Sequence, residues 1–537
     1  MAHWRSLYRL RKRVKMEQLA NKSQRWFSSP DAPTIPLDTA ITVYPTYTYA
    51  DTARDSQYVT RLRMCVAAPG NANSRRNKII MSLCRQYLRE QAPASQITQT
   101  RMQGFLARSV TSRVILDLLG GSATNNTLSV LETQFADTDS RGMLECALRT
   151  PQIPQQSRIT LDTPPSFPSL VTTLQPTHYI KPRGVGLISD IDDTIKHTGV
   201  TGDKKSMFRN VFATPWQEWV VAGLPQWYNS LALDHAVDFF YVSNSPLQLY
   251  DTLQAYIDRT LPRGPIFLKQ YSGNMLASIV KSPGASNSKT RAIERILDDF
   301  PAKRFVLVGD AGERDFETYI DLALRYPDQV AAIYIRCCKD SISDGSRSDD
   351  AVLDELNEII ATEYTRPFEA AAASASPSSS RKVSPSPPPV PPRSTRGPPV
   401  VPPKPQIALS QTQTDGIRDS RVMVRNRVPP PPPPPLPRRP TDASDTSSIA
   451  TSSTRSTAAT SRTDSEVYMI PSSQDDYNTY DVYFDKNAES WRQRLRDGLR
   501  QLNYLPTFNI RIKFFIDPRP CMLDCDDLVR GIKEGGV

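Results

Sequence analysis

Residues 185–194 read Val185-Gly186-Leu187-Ile188-Ser189-Asp190-Ile191-Asp192-Asp193-Thr194, an apolar run that ends abruptly in acid. A short β-prone run bounded by a charged cluster predicts a buried strand of a parallel sheet. Such a strand delivers its last residues to the carboxyl edge, where open α/β sheets bind ligands. The acids are therefore expected at a mouth.

Two carboxylates one residue apart can divide labour there. Asp190 would be a nucleophile that forms an aspartyl-phosphate, and Asp192 the acid that protonates the leaving oxygen and then the base that activates water. Both lie close enough in sequence to share a divalent cation. A carboxylate attacking a phosphate dianion is repelled by it, so the site needs Mg²⁺ and a lysine from elsewhere in the chain. Taken alone, a D-x-D-x-T loop suits a solvated turn or a structural cation site as well.

The order of the downstream segments favours chemistry. Residues 235–243 read His-Ala-Val-Asp-Phe-Phe-Tyr-Val-Ser, a second apolar strand ending at Ser243, after which come Asn244, Ser245 and Pro246. Lys289 opens a helical stretch in which Ile293, Ile296 and Leu297 recur at helical spacing. A third strand, residues 305–310, ends in Gly309-Asp310, with Asp315 five residues on.

This succession resembles the haloacid-dehalogenase-like phosphohydrolases, whose four motifs it matches in order. The wording of residues 189–196 (SDIDDTIK), 241–246 (YVSNSP) and 308–315 (VGDAGERD) is closer still to the phosphatidate phosphatase family of fungal cortical actin patches. That family removes phosphate from phosphatidic acid and diacylglycerol pyrophosphate to give diacylglycerol, and the resemblance spans residues 31–365. It implies Asp190 as nucleophile, Asp192 as acid/base, and Thr194, Ser243 and Lys289 as catalytic partners. It further implies phosphate binding by Ser243, Asn244, Lys289 and Lys196, and Mg²⁺ held by Asp190, Asp192, Asp310 and Asp315. The implied fold is a haloacid-dehalogenase-like Rossmannoid parallel sheet, preceded by a small β-rich domain and followed by a disordered proline-rich tail.

Length allows about three domains, but 47 prolines among 537 residues and a mean hydropathy of −0.45 mark part of the chain as non-globular. A formal charge of +10 favours anionic partners, and no nucleic-acid module is recognisable, so nucleic acid is not expected. Seven scattered cysteines make neither a disulfide framework nor a zinc site, which suits a reducing, cytoplasmic compartment. Membrane work would be peripheral, because no apolar run reaches spanning length.

The composition divides the chain into a basic tail (1–30), a β-rich domain (31–175), a catalytic domain (176–365), a proline/serine-rich linker (366–465) and a small helix-strand segment (466–537). The tail suits a helix on anionic lipid, a mitochondrial transit peptide or a plain flexible extension. In the β-rich part, strands are expected at 41–49, 58–67, 105–110, 114–119, 128–134 and 143–147, with one helix at 77–88. The catalytic part has room for only small insertions, so no large cap is expected and an open site would suit a head group on a surface. One insertion carries Lys196, Lys204, Lys205 and Arg209, interleaved with Met207, Phe208, Val211 and Phe212, which suits an anionic interface or a solvated packing helix. Lys269 and Lys281 are further candidates for phosphate contact. The sheet is expected to end with the run at 330–335.

The linker holds three P-x-x-P-x-[KR] sites, at Pro388, Pro391 and Arg393, at Pro399, Pro402 and Lys404, and at Pro434, Pro437 and Arg439. Polyproline segments dock in aromatic grooves at little entropic cost, so SH3 proteins of the actin cytoskeleton are the expected partners, captured multivalently at cortical patches. Past the linker, Trp491, Leu495, Leu499 and Leu502 stripe a helix that suits lipid but is expected rather to dock on the catalytic domain, and residues 509–516 read as a strand. Two other readings stay open: an SH3-binding adaptor with an incidental phosphatase fold, and a phosphatase of soluble phosphoesters or phosphoproteins.

Overall fold

The computed structural model describes residues 35–367, 485–504 and 510–535, apart from 53, 55–56, 89–93, 122–127, 165–166, 168–169, 201 and 272–286. The basic tail and the proline-rich sites lie outside these residues.

Alternating polar and apolar side chains build the first strands, β1 (Ala40–Val43), β2 (Tyr47–Ala50) and β3 (Tyr58–Ala68). Helices α1 (Arg75–Tyr87) and α2 (Ala94–Leu106) come next, then β4 (Arg108–Ser109), β5 (Arg113–Gly121), β6 (Leu128–Asp137), β7 (Met143–Thr150), β8 (Gln156–Leu161), β9 (Thr172–Pro176) and β10 (His178–Tyr179). One sheet is organised around β3, which pairs antiparallel with β1, β2, β4 and β7, and β10 joins β2 in parallel. The other runs β6-β5-β8-β9, antiparallel throughout. Leu62, Met64 and Val66 of the first sheet share a core with Val114, Leu116 and Leu118 of the second, so the two form a sandwich. Residues 105–110 are not one strand: Met102 and Phe105, three apart, are buried from the end of α2, and the chain becomes extended only at Arg108. The expected single helix is thus a pair.

The second half begins with β11 (Gly184–Asp190), α3 (Lys204–Phe212), α4 (Leu224–His235), β12 (Asp238–Pro246), α5 (Tyr250–Thr260) and β13 (Ile266–Lys269). It continues with α6 (Asn287–Asp299), β14 (Lys303–Asp310), α7 (Asp315–Arg325), β15 (Val330–Arg336), α8 (Asp349–Ile360), α9 (Lys486–Leu502), β16 (Arg511–Phe515) and α10 (Arg519–Glu534). Its six strands form an all-parallel sheet ordered β13-β12-β11-β14-β15-β16. Parallel strands covered on both faces are apolar at every position, as β15 is up to its terminal Arg336. Leu187, Phe239, Val306 and Tyr334 share a core with α4, α5 and α10, while Ile188, Phe240, Leu307 and Ile335 share one with α6 to α9.

The sheet does not end at β15. Ala332–Arg336 pair with Arg511–Phe515, and α9 lays Trp491, Leu495, Leu499 and Leu502 into the core beside Phe316 and Leu356. Arg492 and Arg494 reach Glu355 and Glu317 across that contact. In α10, Cys521 and Cys525 are one turn apart on the inner face, so their spacing reflects core packing. The sandwich is joined to the parallel sheet at buried Asp299, which accepts from Tyr47 Oη at 2.6 Å and Arg61 Nε at 3.0 Å. Among the described residues no helix is long and apolar enough to cross a membrane.

Candidate active site

Three neighbouring strands, β12, β11 and β14, bring Ser243, Asp190 and Asp310 to one edge of the sheet. Beyond Asp190 the chain turns sharply, with Asp193 at a φ of 57°. The Asp193 carboxylate holds the turn: Oδ1 accepts the amides of Thr198 and Gly199, each at 2.7 Å, and Oδ2 accepts that of Val200. Its carbonyl oxygen accepts from Arg336 and Cys338, and the Ile195 carbonyl accepts from Tyr256 Oη at 2.7 Å. Backbone bonds of this kind fix the directions in which Asp190 and Asp192 point.

Around Asp190 the side chains form an ionic cluster. Lys289 Nζ, at the start of α6, donates to Asp190 Oδ1 at 2.7 Å and to Asp315 Oδ1, and lies 3.5 Å from Glu313 Oε2. Thr194 Oγ1 donates to Asp190 Oδ2 at 3.0 Å. Asp310 Oδ1 accepts the amides of Gly312 and Glu313, at 2.7 and 3.1 Å, while its Oδ2 is buried with no hydrogen-bond partner among the described residues. Gly309 is required by this closeness, since a Cβ there would lie 2.3 Å from Asp315 Oδ2.

One ammonium is set against four carboxylates. Burial first, and then the neighbouring acids, push the pKa of Asp190 and Asp310 well above the ordinary carboxylate range; Glu313 is raised too, chiefly by burial. Burial opposes the charge on Lys289, but Asp190, Asp315 and Glu313 overcome it and hold its pKa well above that of a free lysine. Asp190, Asp310 and Asp315 each offer an oxygen within 4.8 Å of the others. An all-oxygen donor set with surplus negative charge and an orphaned carboxylate oxygen fits a hard divalent cation such as Mg²⁺.

Asp192 belongs to a second cluster rather than to that triad. Its Oδ1 accepts from Thr198 Oγ1 at 2.8 Å and lies 2.9 Å from Lys196 Nζ, and its Oδ2 accepts from Ser243 Oγ at 2.8 Å and Ser245 Oγ at 2.6 Å. Burial alone would raise its pKa, but Lys196 and the two serine hydroxyls hold it far below the usual value. Lys196, expected to meet phosphate, also donates to Thr198 Oγ1 and stands over the Trp219 ring, 4.8 Å from its centroid.

Asn244 links the clusters through its Nδ2, which donates to Glu313 Oε2 at 3.0 Å. Its carbonyl accepts from Tyr271 Oη at 2.8 Å, and Lys269 lies over that ring at 4.6 Å. Lys281 lies outside the described residues. Glu313, Asp193, Thr198 and Ser245 were not singled out from the sequence, although Glu313 is part of the VGDAGERD run. The side chains of Asp190, Asp310 and Asp315 are almost fully enclosed, and it is Asn244, Ser245 and Glu313 that reach solvent in part.

Residues 185–337 match the family model described as phosphatidate phosphatase APP1, catalytic domain. An uncharacterised protein of Schizosaccharomyces pombe is 28% identical over 185 residues, which is 34% of this chain and 30% of that one. Among solved structures, a ferredoxin-NADP+ reductase from Plasmodium falciparum has 7% identity and a TM-score of 0.13, covering 56% of this chain and 99% of that one, too low a likeness to carry an argument. Phosphatidate phosphatase APP1 of Saccharomyces cerevisiae is 37% identical over 553 residues, covering 93% of this chain and 86% of its own. Likeness sustained at that level along nearly the whole of both chains makes this protein a member of the phosphatidate phosphatase APP1 family.

Proposed function

We propose that the protein is a Mg²⁺-dependent phosphatidate phosphatase with a haloacid-dehalogenase-like catalytic fold, converting phosphatidic acid, and diacylglycerol pyrophosphate as a second substrate, to diacylglycerol products. The observation that carries this reading is the gathering of Asp190, Asp310, Asp315 and Lys289 at the carboxyl edge of a parallel sheet. Family membership supports the choice of lipid substrate.

In this reading Asp190 attacks phosphorus, forming an aspartyl-phosphate as the ester oxygen leaves with a proton from Asp192. Asp192 then takes a proton from water as that water cleaves the acyl-phosphate bond. Lys196 holds Asp192 in its charged form, which suits the second step. For the first step Asp192 has to take up a proton, and a monoprotonated phosphate brings one. Lys289 and Ser243 are within reach of phosphoryl oxygens, and Thr194 keeps the Asp190 carboxylate in place. Asp190, Asp310 and Asp315 would hold Mg²⁺, which supplies charge neutralisation between carboxylate and phosphate.

The P-x-x-P-x-[KR] sites support recruitment by SH3 proteins to cortical actin patches. Phosphate release from phosphatidate in mixed micelles, with and without Mg²⁺ and beside release from glycerol phosphate, tests the assignment. Mg²⁺-dependent release from the lipid is expected, and a strong preference for the soluble ester would overturn the lipid reading.

A further inference from the structure

Helices α1, α2 and α3 contain no acidic residue, and the composition of α1 and α3 sorts by face. In α1 the buried residues Asn77, Ile80 and Cys84 face inward, leaving Arg75, Lys78 and Ile79 outside. In α3 the rings of Phe208 and Phe212 are buried, with Phe212 against Phe105 of α2 at 5.3 Å, and Lys204, Lys205 and Arg209 are exposed. Both inner faces enter the same buried core, and the two helices touch along it. Of the flanking acids, Asp203 caps α3 and has its pKa lowered by its hydrogen bonds to that helix and by Lys205, and exposed Glu218 precedes Trp219, whose Nε1 donates to the Asn210 carbonyl.

Helix α3 stands next to the catalytic edge, with α1 packed beside it. The segment leaving β11 at Asp190 leads directly into α3, and Asn210 of α3 donates to the Thr198 carbonyl at 3.0 Å, while the Thr198 hydroxyl donates to Asp192. On the other side, α2 packs on the turn just after β12, where a Cβ at Gly104 would lie 2.5 Å from the Gln248 carbonyl oxygen.

We propose that the outer faces of α1 and α3 are the docking surface for an anionic lipid bilayer, an inference that rests on the reading of the substrate as a membrane phospholipid. Cations without interspersed acids complement a negatively charged leaflet, and Ile79, 48% exposed between Arg75 and Lys78 on one side and Ser82 on the other, supplies an apolar residue that can enter the head-group layer. A bilayer seated on α3 holds its head groups beside the loop that carries Asp190 and Asp192.

Co-sedimentation of the full chain with sucrose-loaded vesicles reads this surface without turnover. Vesicles of phosphatidylcholine with phosphatidylserine are expected to carry down the protein, and phosphatidylcholine alone much less. The Lys78→Glu, Lys204→Glu, Lys205→Glu triple variant should partition at least about 20-fold more weakly, since each basic residue at an anionic surface contributes severalfold. The corresponding Lys→Arg variant should bind within about twofold of wild type, because charge rather than shape is read. An unchanged Tm shows that the fold is intact; if the glutamates lower it, the triple Lys→Ala variant gives the same comparison. Asp190→Asn should sediment like wild type even if phosphatidate proves not to be a substrate, so the two readings fail separately. Undiminished partition of the triple variant, or equal binding to neutral vesicles, overturns the proposal. So does loss of binding to a short DNA duplex with vesicle binding unchanged, which assigns the face to nucleic acid.

Discussion

Lys196 Nζ stands 2.9 Å from Asp192 Oδ1, and neither side chain is more than 8% exposed. Breaking a buried pair costs about 3–5 kcal/mol, because one charge is left uncompensated. Lys196→Met is therefore expected to lower Tm and turnover together. The pH dependence should also change. In the wild type the Asp192 pKa lies below its unfolded value, so its stabilisation is present above about pH 4 and is lost only as pH falls through the folded value. Without Lys196, burial is opposed by the Ser243 and Ser245 hydroxyls, so the pKa moves up and the stabilisation that this group adds above its unfolded value shrinks. Thermal melts of both proteins across pH check this: Tm of the variant should climb relative to wild type on acidification, and parallel curves would remove Lys196 from the control of Asp192.

The two carboxylates of the opening strand should separate kinetically. Asp190→Asn is expected to be inactive and to leave no trappable phosphoenzyme, because an amide is not an attacking oxyanion. Asp192→Asn should also fail to turn over, yet an aryl phosphate, whose leaving group needs little protonation, should give a burst of about one equivalent before the reaction stalls. Rapid-quench measurement of aryl alcohol release distinguishes them, and a burst from Asp190→Asn alone would exchange the roles.

Asp190 and Asp310 carry the opposite linkage from Asp192. Their folded pKa values are raised, by burial first and then by neighbouring acids, so each costs stability above its folded value and that cost is relieved as pH falls through it. Metal-free protein should thus gain Tm on acidification from about pH 8 towards the carboxylate range. Mg²⁺ would bind the ionised ligands, and at about a hundredfold excess over its dissociation constant it should raise Tm by roughly 2–5 °C at about pH 8 and by less in acid. In Asp310→Asn most of that rise should vanish. Calorimetry with Mg²⁺ or EDTA measures it, and a rise that survives the substitution places the metal elsewhere.

Gly309→Ala adds a methyl carbon 2.3 Å from Asp315 Oδ2. Asp315 has to move away from Lys289 and Asp310, and turnover should drop by about 100-fold, the scale associated with misplacing a group by about 1 Å. Kinetics of this variant at saturating Mg²⁺ provide the check; wild-type turnover would show that Asp315 has slack.

A chain shortened to end at residue 367 retains every residue assigned to chemistry but leaves the β15 edge bare and uncovers Phe316 and Leu356. It is expected to aggregate or lose cooperative unfolding, since an open apolar strand edge invites pairing with other chains. Soluble, fully active protein of that length would show that β16 and α9 are dispensable.

Much of the catalytic edge is legible in the sequence because buried parallel strands are written as continuous apolar runs, and Asp190, Ser243 and Asp310 mark their ends. Lys196 is harder to read: its distance from Asp192 and Trp219 arises from the turn pinned by Asp193, which has no periodic signature. Phe105 reads as the start of a strand because polar residues dilute the α2 stripe to which it belongs. The pairing of β16 with β15 leaves no local trace, because parallel partners can come from anywhere in the chain.

That pairing also sets an order of events during synthesis. Strand β16 belongs to the same compact unit as Asp190, Asp310 and Asp315 but is encoded after the whole proline-rich stretch. A ribosome has to finish that stretch before the last strand can close the sheet. Nascent chains that terminate early therefore leave the catalytic sheet without its final strand, and a completed sheet arrives already joined to its proline-rich sites.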